Sequence, residues 1–140
     1  MINNIQKHHN DEEIQKLSME SAVHLWRQEL EFLEKEIQFY LALLSSSLIE
    51  KTRSNNIDAN YLLKQFNELK ESNKLHKKTC INFQNKLQGM EECDDVQCEN
   101  AYLQSYLLFK NKLEKHFNSI RDIKQSAFEY LKYGIEQFAK

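Results

Sequence analysis

The stretch DANYLLKQFNELKESNKLHKKTCINFQNKLQG, residues 58–89, decides the fold. Within it Ala59, Leu62, Phe66, Leu69, Asn73, His76, Cys80, Phe83 and Leu87 recur at alternating steps of three and four, which puts them on one stripe of an α-helix. Asp58 offers a side-chain oxygen to the unsatisfied N–H groups at the helix start, and Gly89 is the residue type that suits a helix C′ position. This is the second of three helical runs.

Toward the N-terminus, Val23, Trp26, Leu30, Leu33, Ile37, Tyr40, Leu44 and Leu48 keep the same spacing, and Met19 extends it by one step. Ile14 and Leu17 fall out of phase. A break near Ser18 is therefore expected, with a short separate helix opening at Asn10 or Asp11 ahead of Glu12 and Glu13, where early negative charge favours a helix start. The expected organisation is a flexible segment with a short helix over 1–18 and a single helical-bundle domain over 19–140. Ser54-Asn55-Asn56-Ile57-Asp58 reads as the turn before helix 2, and Ser45-Ser46-Ser47 as a polar run where helix 1 can bend.

Toward the C-terminus, Asp94 with Gln97 resembles a capping box opening helix 3. Its seam is read through Tyr102, Tyr106, Phe109, Leu113, Phe117, Ile120, Lys124 or Ile123, Ala127, Leu131, Ile135 and Phe138. The chain has no proline and only two glycines, Gly89 and Gly134, so nothing stops it from being helical almost throughout. Short connections make consecutive helices antiparallel. The fold class is all-α: an elongated antiparallel up-down-up three-helix bundle with coiled-coil-like packing.

Helix 3 is the longest run, about 67 Å against about 50 Å and 46 Å for its partners at 1.5 Å per residue. If straight, it carries residues beyond 126 past the other two helices. Phe128, Leu131, Ile135 and Phe138 then become apolar anchors without an intrachain helix opposite, and a second copy covers them, a two-fold homodimer being the commonest closed form. The alternative is a C-terminal end that folds back as a fourth helix.

Nineteen basic and twenty-one acidic residues leave a formal charge of −2, with both signs in all three runs. Such a balance gives no field to attract nucleic acid or anionic lipid. Lys70, Lys74, Lys77 and Lys78 share one face, which reads as a solvated lysine surface. The longest apolar run, Tyr40 to Leu44, is too short to cross a bilayer, and an odd count of three cysteines without an export signal points to reduced thiols in the cytoplasm.

No cofactor is expected: glycine-rich phosphate loops, Glu-x-x-His pairs of di-iron bundles and His-Glu-x-x-His are all missing. Folding the hairpins places His24 near Cys93 and Cys98, a weak candidate metal or redox cluster, with Glu20, Glu92 or an N-terminal histidine completing the four ligands. The same geometry brings Tyr40, Asn73, His76 and Tyr106 to one level, where they read as a buried polar layer fixing helix register. The expected function is a non-enzymatic interaction or assembly module that contacts itself or another helical protein. A metal- or redox-responsive protein using His24, Cys93 and Cys98 is the alternative.

Overall fold

The computed structural model describes residues 2–46 and 56–139, with the side chains of 2–10, 12, 56, 138 and 139 excepted. Helix α1 runs Ile2–Leu44, α2 Asn56–Leu87 and α3 Val96–Ala139. A 3₁₀ segment, Gln88–Glu92, continues α2 into the second reversal. Among the described residues no helix is long and apolar enough to cross a membrane.

Cross-helix pairs fix the topology. Arg27 Nη1 donates to Gln84 Oε1 (3.0 Å) and Lys77 Nζ lies 3.4 Å from Glu34 Oε2, so α2 retreats as α1 advances. Trp26 stacks on Tyr106, and Lys124 Nζ donates to both Glu36 carboxylate oxygens (3.1 and 3.2 Å), so α1 and α3 advance together. The bundle is up-down-up.

The three-four alternation holds along each helix. In α1 it comprises Met19, Val23, Trp26, Leu30, Leu33, Ile37, Tyr40 and Leu44, all buried or half-buried. In α3 the buried series is Phe109, Leu113, His116, Ile120, Ala127, Leu131 and Gly134. Full burial of a Leu, Ile or Phe in such a stripe contributes about 1.5–3 kcal/mol, which is what holds these helices together. The core divides in two. One cluster gathers Met19, Val23, Leu30, Cys80, Phe83, Leu87, Met90, Phe109 and Leu113. The other gathers Leu33, Ile37, Leu44, Leu62, Phe66, Ile120, Ala127 and Leu131.

Several boundaries differ from the sequence reading, each for a local reason. The N-terminal stretch is part of α1, unbroken through Ser18, and the out-of-phase Ile14 and Leu17 face solvent at 65% and 64% exposure. Helix 1 stops at Leu44, where the Ser46 hydroxyl and amide both bond the Leu43 carbonyl; Leu48 lies outside the described residues. Asp58 sits inside the first turn of α2. Asp95, one residue after the expected cap, accepts the Cys98 N–H on Oδ1 at 2.8 Å and starts α3.

Gly89 does not end helix 2 in a left-handed turn. It lies in the 3₁₀ segment, where a Cβ would come 2.9 Å from the Tyr102 hydroxyl oxygen, so a larger residue there would have to move the tip of the Tyr102 side chain. That extra turn moves the reversal. The pairs Asn73 with His116 and Phe83 with Tyr106 are both centred between Asp94 and Asp95, whereas the hairpins folded from the sequence centre this reversal near residue 91. Every residue of α3 is thereby displaced along α2 by about two turns. Ala127, Tyr130 and Leu131 therefore pack against Leu44 and Leu62 instead of projecting beyond them. α3 remains one helix to Ala139, so the C-terminal end does not fold back.

Candidate functional site

At the open end of the bundle α1 and α3 leave an apolar groove of about 470 Å³ lined by Phe39, Tyr40, Leu43, Phe128, Leu131, Lys132, Ile135 and Glu136. Phe39, Phe128 and Ile135 are 62%, 57% and 57% exposed, whereas Leu131 is a core residue at 9%. Of the four expected anchors, two thus present apolar surface, Leu131 forms the floor, and the Phe138 side chain lies outside the described residues. Sequence reasoning missed the α1 half of this groove. Leu25, Phe32 and Phe39 recur every seven residues, one step off the seam, and all exceed 55% exposure. That row is visible in the sequence once the seam has been subtracted.

A second, more polar hollow of about 770 Å³ lies between the start of α2 and α3, where Asp58, Asp122 and Glu129 stand among Tyr61, Tyr130 and Tyr133.

The polar layer exists, with different members. Asn73, 2% exposed, donates through Nδ2 to the Leu30 carbonyl oxygen of α1 at 2.9 Å. Its Oδ1 is then left to face His116 Nε2, also at 2.9 Å. Because the Leu30 carbonyl can only accept, the amide orientation is set, and His116 must carry its proton on Nε2 and donate. One asparagine ties all three helices. The His76 ring lies against that of His116 with centroids 4.5 Å apart and the planes tilted by 48°. Burial drives the His116 imidazole down to about 4, and the neighbouring His76 pushes the same way. His76 is lowered by burial first and by the Lys112 charge second.

Tyr40 and Tyr106 do not belong to this layer. Tyr40 of α1 stacks on Phe66 of α2 (5.1 Å) in one core cluster, and the displaced register of α3 leaves Tyr106 on Trp26 (5.2 Å) beside the other. His116 was missed because Phe117, an apolar residue, took its place in the seam. The steps 102, 106, 109, 113 already alternate four, three, four, so strict alternation demands 116 next; Phe117 is half-buried beside it.

The His24, Cys93 and Cys98 cluster is not assembled. Cys93 and Cys98 are joined in a disulfide, Cα–Cα 5.5 Å, and His24 is exposed on α1. Among the described residues no group of three or more His, Cys, Asp or Glu could hold a metal ion. The expectation of free thiols fails at this pair, since both sulfurs sit on one short corner, and holds for Cys80. There burial pushes the thiol up to about 11, with Arg27 pulling weakly against it, which leaves an unreactive core residue.

Set against known proteins, the chain matches no family model, no curated protein and no solved structure. Its own geometry carries the functional reading.

Proposed function

We propose that this chain is a non-enzymatic helical assembly module that associates with a second copy of itself through the C-terminal part of α3, the groove between α1 and α3 being the contact surface. The observation that carries the reading is the gathering of Phe39, Phe128 and Ile135 at one groove, each more than half exposed. Large apolar side chains concentrated in this way are normally covered by a partner, and an amphipathic helix is the partner shape that such a groove admits. Lys132 and Glu136, one turn apart on the rim, give the surface both signs of charge, which suits a two-fold contact between identical faces. A cytoplasmic location stays part of the proposal. There the Cys93–Cys98 bond would form and break rather than serve as a permanent staple.

Leu131 is unsuited to a test because a charge at a core position would unfold the chain. Phe128→Ser with Ile135→Ser changes exposed residues only. Light scattering on the wild type should give a dimer mass and on the double variant a monomer mass, with the helical circular dichroism unchanged. A wild-type chain that stays monomeric at its solubility limit, or a double variant that keeps the dimer mass, overturns the reading.

A further inference from the structure

We infer that the Cys93–Cys98 pair is a thiol-exchange site selective for small thiols that carry positive charge. The disulfide lies at the opposite end of the bundle from the groove, across the connection from the 3₁₀ segment to α3, and both cysteines are half-buried, each keeping part of its surface in solvent, with Cys93 also packed on the core cluster around Met90. No lysine or arginine occurs between Lys86 and Lys110, while Glu91, Glu92, Asp94, Asp95 and Glu99 crowd within that interval. Among the described residues one cation reaches the corner from elsewhere: Lys16 of α1, which is hydrogen-bonded to Glu91. Glu92 and Asp94 remain as exposed carboxylates next to the two cysteines in the chain, and Asp95, also exposed, caps α3 by accepting the Cys98 N–H. Any attacking thiolate must approach through that negative field.

The exchange runs in two displacements. An external thiolate attacks the Cys93 sulfur, forms a mixed disulfide there and expels Cys98 as a thiolate. Cys98 is the better leaving group because it lies three residues into α3, at the positive end of the helix dipole. A second external thiolate then attacks its own counterpart in the mixed disulfide, forming the external disulfide and releasing Cys93 as a thiolate. Two external thiols are oxidised to one disulfide, and the protein disulfide is reduced to two thiols that take up the two protons.

The field sorts reagents by the charge of the attacking species. Cysteamine thiolate is neutral overall because of its ammonium group, mercaptoethanol thiolate carries one negative charge, and glutathione thiolate carries two. Compared per thiolate and corrected for basicity, their rates should fall in that order. Cysteamine should exceed glutathione by roughly tenfold at low ionic strength, the lower end of what charge steering gives. The difference should shrink toward unity near 1 M salt, where the screening length is about 3 Å instead of about 30 Å at 0.01 M.

The experiment follows reduction of the native full-length protein by each thiol, quenching with iodoacetamide and counting adducts by mass, at low and high salt. Glu92→Gln with Asp94→Asn, both on the surface, should raise the glutathione rate toward that of cysteamine without altering the cysteamine rate comparably. Equal rates per thiolate at low salt overturn the inference, as do a rate ratio that ignores salt and the double variant, native protein that no thiol reduces, or air-oxidised protein in which both thiols are free. Each of these results is independent of whether the chain dimerises.

Discussion

The half of the core around Met90 closes on itself, and the half around Leu131 is left open by the described residues. At the first end the 3₁₀ segment wraps Met90 to 0% exposure, Tyr102 comes down onto Gly89, Lys16 reaches Glu91 and a disulfide spans the corner. At the second, the three-four seam still delivers Leu44, Leu62 and Leu131 to the interior, but Phe39, Phe128 and Ile135 stand outside it. Identical helical periodicity thus ends in a sealed corner and a groove that no described residue covers. Periodicity dictates what faces inward and is silent about what the outward face meets, so function has to be sought where outward residues break the polar rule.

Between the halves lies the Asn73–His116 layer, and it supplies the largest predicted effect. With His116 held at about 4 in the fold and near 6.5 when unfolded, the unfolded chain binds a proton that the folded chain refuses across that interval. Stability is therefore complete above about pH 6.5, is lost as pH falls toward 4, and is not lost further through this group below 4; the total is on the order of 3 kcal/mol. His76, lowered for the same reason of burial, adds in the same direction. Urea denaturation at pH 7 and at pH 4.5 should reveal the slope. A protein equally stable at both values would mean that the two halves are not separated by a neutral imidazole.

The layer also tests how the halves are joined. Asn73→Leu strands the His116 N–H in a dry interior and should cost about 2 kcal/mol, the usual penalty for a buried donor without an acceptor. Asn73→Leu with His116→Leu removes both polar partners; it should recover most of that loss and should abolish the part of the acid dependence that His116 carries. Chemical denaturation of the two variants decides the matter, since a pair whose losses simply add would show that Asn73 and His116 do not act through one another.

How much of this was legible beforehand depended on which physical rule governed each residue. The stripe through Leu62, Phe66 and Phe83 needed only helix periodicity, and the up-down-up order needed only short connections. His116 was hidden because apolarity was allowed to outvote spacing at Phe117. Tyr106 was misplaced by something no local pattern displays: a single 3₁₀ turn after Leu87 that delays the reversal and doubles its own displacement along α3, whereas Tyr40, on α1, is untouched by that shift and packs on Phe66. The same delay drew Leu131 into the core and left Phe128 and Ile135 as the exposed part of the expected contact surface. The cysteine pair was read by compartment logic, which addresses where a protein resides and not which sulfurs a corner brings within 5.5 Å Cα–Cα.

The sealed corner gives the smallest effect and the sharpest contrast between the ends. The disulfide closes a loop with a sequence separation of 5, and restricting so short a loop in the unfolded chain contributes about 2 kcal/mol or somewhat less. Cys93→Ser with Cys98→Ser should therefore lower the free energy of unfolding by that amount. It should also loosen the amides of the 3₁₀ segment and the first turn of α3 in hydrogen exchange ahead of those near Ile120 and Ala127. Serine substitutions at Phe128 and Ile135, at the open end, should leave monomer stability within about 0.5 kcal/mol, because surface residues away from packed contacts contribute little. Equal loosening at both ends after loss of the disulfide would mean that the polar layer couples the halves into one cooperative unit, and the division of the core would then describe only the geometry of packing.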